Sequence, residues 1–117
     1  MNLDPMDIKL KFVRGFADKT RLQILYCIKE EEKTVSQIVD EIQGNQSNIS
    51  QHLACLKGCG IISGRTEGRY IYYALSSSQI AELLNMFDIV LAHVQEDVCN
   101  CHRNERCVES GGESNDK

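Results

Sequence analysis

Three residues, Gln43-Gly44-Asn45, are all that separates two stretches of helical apolar spacing, and this short gap constrains the fold more than any other feature of the chain. On its N-terminal side Thr34 to Ile42 carries Val35, Ile38, Val39 and Ile42 on one face of a short amphipathic helix. On its C-terminal side a helix from about Gln46 to Cys59 is signalled, with Ser47 or Asn45 as cap and Gly60 as stop. Ile61-Ile62-Ser63, a turn region over Gly64–Gly68, and the β-branched and aromatic run Arg69-Tyr70-Ile71-Tyr72-Tyr73-Ala74-Leu75 then read as a β-hairpin. Two short helices joined by a Gly-containing turn, followed at once by a hairpin, are the pattern of a winged helix-turn-helix.

The flanks complete it. Ile8, Leu10, Phe12, Val13 and Phe16 predict a first helix from Pro5 to Ala17, with Pro5 suited to the first turn. Asp18 or Thr20 caps a second helix through Ile28, with Leu22, Ile24, Leu25, Cys27 and Ile28 inward. Ser76-Ser77-Ser78 opens a long final helix to about Asp97, with Ile80, Leu83, Leu84, Phe87, Val90, Leu91 and Val94 in one stripe. The expected fold is therefore mostly α with a β-hairpin, in the order α-α-α-α-β-β-α. Residues 1–98 form the winged helix-turn-helix and dimerisation domain, and 99–117 a Cys-containing, largely flexible tail. Phe87, Val90, Leu91 and Val94 exceed what one thin core can cover, so the chain is expected to be homodimeric, joined through its first and last helices.

Six Cys and an N-terminus, Met1-Asn2-Leu3-Asp4-Pro5, without the basic-then-apolar layout of a signal peptide argue for reduced thiols in a cytoplasmic protein. No apolar run approaches the roughly 18–20 residues needed to cross a bilayer, so no membrane partner is expected. The net charge of −4 by itself opposes a nucleic-acid ligand. Yet the tail beyond residue 95 holds Glu96, Asp97, Glu105, Glu109, Glu113 and Asp116 against Arg103, Arg106 and Lys117, which leaves the body nearly neutral and free to carry a basic face.

At about 100° per residue, Ile49, Leu53 and Leu56 fall in one sector of the fourth helix and must pack inward. The opposite side, with Ser47, Asn48, Ser50, Gln51 and Ala54, is short, polar and suited to base edges in a major groove. Lys57 on this helix and Arg65 and Arg69 at the tip of the hairpin are placed for phosphates. Double-stranded operator DNA is the expected partner.

The run Asn48-Ile49-Ser50-Gln51-His52-Leu53-Ala54-Cys55-Leu56-Lys57-Gly58-Cys59-Gly60-Ile61-Ile62, with Glu67-Gly68-Arg69-Tyr70-Ile71-Tyr72-Tyr73-Ala74-Leu75 and, upstream, Phe16-Ala17-Asp18-Lys19-Thr20-Arg21-Leu22-Gln23-Ile24-Leu25, resembles the ArsR/SmtB family of dimeric metal-sensing repressors over about residues 8–98. The resemblance implies a homodimer that holds a palindromic operator when metal-free and releases it on binding metal.

Cys55 and Cys59 are four apart on one helix, so their Cβ atoms lie about 5–6 Å apart and can close on a single ion. A third thiolate must come from elsewhere, and Cys99 and Cys101 are available. The pair Cys55/Cys59 in Cys-Leu-Lys-Gly-Cys-Gly resembles the CmtR-like, cadmium- and lead-sensing branch of the family, which implies Cys99 as the third ligand; Cys101 and Cys107 are possible additional ones. Thr34 and Ser36 stand where arsenic- and cadmium-sensing relatives carry a cysteine pair, and Asp88 and His93 do not reproduce the spacing of zinc sensors. Cys27 belongs to an apolar stripe and reads as core. His52 falls near the cysteine flank, where a packing or hydrogen-bonding role is favoured over ligation. Soft thiolates select cadmium, lead, zinc and copper(I) over harder ions, and a three-sulfur site with long metal–sulfur bonds suits Cd(II) or Pb(II) first, with Zn(II) possible.

The expected function is a metal-responsive repressor; the alternatives are a thiol redox-sensing repressor and a Zn(II)-responsive member of the same family. No nucleophile–base pair, phosphate loop or paired carboxylates suggest an enzyme.

Overall fold

The computed structural model describes residues 3–101 and places seven elements in the expected order. These are α1 (Pro5–Arg14), α2 (Lys19–Cys27), α3 (Val35–Ile42), α4 (Gln46–Gly58), β1 (Ile62–Glu67), β2 (Tyr70–Leu75) and α5 (Ser78–Asn100). Two compact units divide between Glu82 and Leu83.

In the first unit the helix starts are local chemistry. Asp4, Asp18, Thr34 and Asn45 each accept a hydrogen bond from the backbone N–H three residues on, at Asp7, Arg21, Gln37 and Asn48. At α3 the bond is reciprocated, because the Gln37 side chain accepts from the Thr34 N–H at 2.9 Å to complete a capping box. Thr34→Ala is accordingly expected to lower stability by about 1 kcal/mol, read as a shift in denaturation midpoint at fixed protomer concentration.

The α3–α4 turn works differently from the glycine break its sequence suggests. Gln43, not Gly44, takes the left-handed conformation, at φ 56°, and its side chain donates to the Asp40 carbonyl. Gly44 is required for room: a Cβ there would lie 2.9 Å from Ile49 Cδ1. This close approach holds α4 against α3.

Ile24, Leu25, Ile28, Ile38, Ile49, Leu53, Leu56 and Ile61 are fully buried. Each contributes roughly 1.5–3 kcal/mol of transfer free energy, and together they join α2, α3, α4 and the start of the wing. Helix α1 buries none of its own residues; Met6, Ile8, Leu10 and Val13 are exposed. The chain turns in at Gly15 and Phe16, both buried.

The wing is a two-stranded antiparallel sheet with Ile62 opposite Leu75 and Glu67 opposite Tyr70. Its turn is only Gly68-Arg69, with Gly68 at φ 64°. The turn expected over Gly64–Gly68 is thus mostly strand: Arg65 and Thr66 pair with Tyr72 and Ile71, and only Gly68 has a φ that side chains disfavour. Lys33, before α3, exchanges both backbone hydrogen bonds with Tyr73, at 3.0 and 2.8 Å, tying the wing to the α2–α3 loop.

The second unit consists of α5 from Leu83 onward and the residue after it. Helix continues past the expected end at Asp97, since no Gly or Pro interrupts the chain before Gly111. Met86, Phe87, Ile89, Val90, Leu91, Val94 and Val98 are exposed along it. The final residues of the tail, with His102 and Cys107, lie outside the described residues.

Candidate nucleic-acid interface and thiol centre

The apolar sector of α4 is buried as its periodicity requires, and this turns the other side outward. Ser47, Asn48, Ser50, Gln51 and Ala54 are exposed. Four of them, with Gln46, line one open depression of about 650 Å³. Gln46 is the residue that sequence reasoning missed. It lies one turn before Ser50, so the same periodicity includes it, but its place at the helix boundary hid it. Asn45 provides the cap, which leaves the Ser47 hydroxyl unused by the backbone.

The basic residues fall into different situations. Lys57 is exposed, and its ammonium reaches over Gly64 of β1, 3.7 Å from where a Cβ would stand. Arg69 is exposed at the wing turn. Arg65 is mid-strand rather than at the tip: its guanidinium is bound by Glu32 from the α2–α3 loop and by Glu67, and lies 5.0 Å from the Tyr72 ring centroid. The Arg65 hydrogen bond holds the Glu32 carboxyl below the usual carboxylate range.

On the C-terminal part of α4, Cys55 is exposed and Cys59 half-buried, both as free thiols. Cys59 caps the helix, its N–H bonded to the Cys55 carbonyl at 3.1 Å, so the two sulfurs stand on consecutive turns. Cys99, expected just beyond the last helix, is an exposed residue of its final turn, and Cys101 follows, half-buried. Exposed and half-buried thiols on one helix side suit a soft cation, which can reach them and displace their protons. Among the described residues of a single chain, no three His, Cys, Asp or Glu side chains are gathered as a metal site.

Cys27 is buried, and burial pushes its thiol up, with the Lys33 charge acting the other way. It packs in the core, as expected. His52 is half-buried and engaged elsewhere than with sulfur: its Nδ1 lies 3.4 Å from an Arg21 guanidinium nitrogen and its Nε2 3.8 Å from the Asp18 carboxylate.

Residues 18–63 match the profile of the arsR family of bacterial regulatory proteins. The HTH-type transcriptional regulator CmtR of Mycobacterium bovis is 35% identical over 91 residues, which span 77% of each protein. The chain belongs to the ArsR family. Among solved structures, a homodimeric winged helix-turn-helix DNA-binding domain from a possible ArsR-family regulator of M. bovis aligns with TM-score 0.73 at 27% identity, covering 79% of this chain and 85% of that one. The cadmium metal-sensor CmtR of M. tuberculosis aligns with TM-score 0.60 at 35% identity, over 67% of this chain and 80% of that one.

This chain is thus a winged-helix transcriptional regulator of the ArsR/SmtB family. No helix among the described residues is long and apolar enough to cross a membrane.

Proposed function

We propose that this ArsR-family chain is a cytoplasmic, thiol-based metal sensor: the metal-free dimer occupies a pseudo-palindromic operator, and Cd(II) or Pb(II) taken up by Cys55, Cys59 and Cys99 releases it. The observation that carries the reading is the make-up of α4. One side is an open polar surface from Gln46 to Ala54, and the same helix ends in two accessible thiols one turn apart. A ligand at the thiols and DNA at the polar face therefore act on one rigid element.

Three thiolates suit large, soft ions; Zn(II) prefers four-coordinate closure and would need a further ligand such as Cys101 or Cys107. Cys99 is included because the resemblance to CmtR, a cadmium metal-sensor similar over 77% of this chain, implies a third cysteine after the last helix. Operator binding measured on apoprotein and on Cd(II)- or Pb(II)-loaded protein, side by side and under reducing conditions, tests the reading. Release that requires an oxidant instead of metal identifies a redox sensor.

Phosphate contacts set affinity and salt dependence, while base contacts set preference. Gln51→Ala is expected to relax base preference by roughly 1–3 kcal/mol at one position of each half-site. Arg69→Ala is expected to weaken binding alike on all sequences and to reduce the slope of log affinity against log salt by about one for each phosphate it no longer neutralises. Arg65→Ala is expected to change that slope less, because Arg65 reaches a phosphate only by giving up Glu32 and Glu67. Competition binding to an operator and its single-base variants across a salt series measures all three.

A further inference from the structure

Helix α1 presents a mechanical problem. It buries no residue of its own, yet one side, with Met6, Leu10 and Val13, is apolar, exposed and available to a second copy of the chain. Along its own length only the half-buried Phe12 packs inward, edge-on to the buried Phe16 with ring centroids 5.1 Å apart, so its placement depends on contacts near its C-terminal end.

Those contacts converge on Arg21, in the first turn of α2. The Arg21 backbone N–H donates to the Asp18 carboxylate at 3.0 Å, which holds the residue at the helix start. One terminal nitrogen of its guanidinium donates at 3.1 Å to the carbonyl of Arg14, the last residue of α1, which also accepts from the Ala17 N–H at 3.1 Å. The other terminal nitrogen lies 3.4 Å from Nδ1 of His52, in the middle of α4. A guanidinium offers only donors, so this bond exists only while Nδ1 acts as acceptor. The Arg21 Nε is buried without a hydrogen-bond partner, so the group is held by the two bonds at its far end.

An independent contact joins the same two helices. At Gly15, the residue after Arg14, a Cβ would lie 2.4 Å from Ile61 Cδ1 and 3.8 Å from Leu56 Cδ2. The exit of α1 therefore rests on the buried side of α4 and on the residue that leads into the wing.

We propose that Arg21 is a positioning residue for DNA recognition: shared between the Arg14 carbonyl and His52 Nδ1, its guanidinium sets the orientation of α4 against the exit of α1, and so the spacing of the two α4 helices in the dimer. His52 is its acceptor on α4. The inference rests on α4 being the helix that reads the operator. Two reading helices must meet half-sites about one helical turn apart, so a small change in tilt costs specific binding. Non-specific binding, which needs only a basic surface, is spared.

The test uses the full chain with four variants: Arg21→Met, Arg21→Lys, His52→Leu and His52→Asn. Asn retains an acceptor close to where Nδ1 stands; Leu does not. Arg21→Met and His52→Leu are expected to lower operator affinity about tenfold, the scale of a single charge-assisted hydrogen bond. Affinity for unrelated duplex and its salt slope stay unchanged, as does the dimer by sedimentation. The double variant Arg21→Met/His52→Leu is no weaker than either single one, and His52→Asn recovers to within about threefold of wild type. Arg21→Lys, which keeps the charge but lacks the fork, gives the Arg21 result should Arg21→Met fail to fold. Equal losses on operator and unrelated duplex, or an Asn variant no better than Leu, overturn the proposal. Gln51→Ala in the same series separates the two ideas. If it leaves base preference untouched, α4 is not the reader and both fall; if it relaxes preference while the Arg21 variants bind as wild type, only the positioning role falls.

Discussion

Cys55→Ser is expected to leave apo-dimer operator affinity near wild type while abolishing release by Cd(II) or Pb(II). Coupling between two ligands on one regulator is typically 1–3 kcal/mol, or about 5–150-fold in affinity, and it is reciprocal. Operator DNA should therefore weaken metal binding by the same factor in wild type and by none in the variant. In the proposed site the exposed Cys55 and the half-buried Cys59, one turn on, are the two ligands from α4. Sulfur-to-metal charge-transfer absorption during a Cd(II) titration reads occupancy directly. Cys59→Ser and Cys99→Ser should behave like Cys55→Ser, whereas Cys101→Ser and Cys107→Ser should retain a response. Thiol protons leave as metal enters, so the wild-type response should weaken as pH falls. A wild-type response in Cys55→Ser would remove the proposed site from α4.

Leu91→Glu carries the other large effect. Leu91 lies on α5 with Phe87 and Val94 within one turn of it, and all three are exposed in the single chain, Leu91 by 43%. If this stripe, with Val90, is what the second copy covers, the substitution places an unpaired carboxylate in an apolar interface at a cost of several kcal/mol. Sedimentation at micromolar concentration should then show monomer in place of dimer. Operator affinity should fall by more than tenfold, because two half-site contacts on one dimer become two separate binding events. A variant that stays dimeric would move the interface away from this stripe.

The winged helix and its candidate reading face were legible in the chain because both are written at short range. Caps such as Thr34 and Asn45 act on an N–H three residues away, and the inward sector of Ile49, Leu53 and Leu56 follows from helix geometry alone. So does the consecutive-turn placement of Cys55 and Cys59. The same locality explains the missed Gln46, which the period reached but the boundary rule excluded, and the misplaced wing turn. Gly64 and Gly68 look equally suited to a turn by composition, and only cross-strand pairing shows that Gly64 sits opposite Tyr73 within the sheet.

What the sequence by itself determined, then, is which elements form, which side of α4 faces outward and which thiols share a helix. Tertiary structure alone decided how the charged and polar groups are used. Arg65 and Arg69 are alike in sequence, but Glu32, 33 residues before Arg65, binds one of them while the other stands at the turn. Arg21 and His52 are 31 residues apart, and nothing local marks them as partners. Side-chain pairing across such separations depends on how buried isoleucines and leucines set one helix against another, and a periodicity of 3.6 residues carries no information about that.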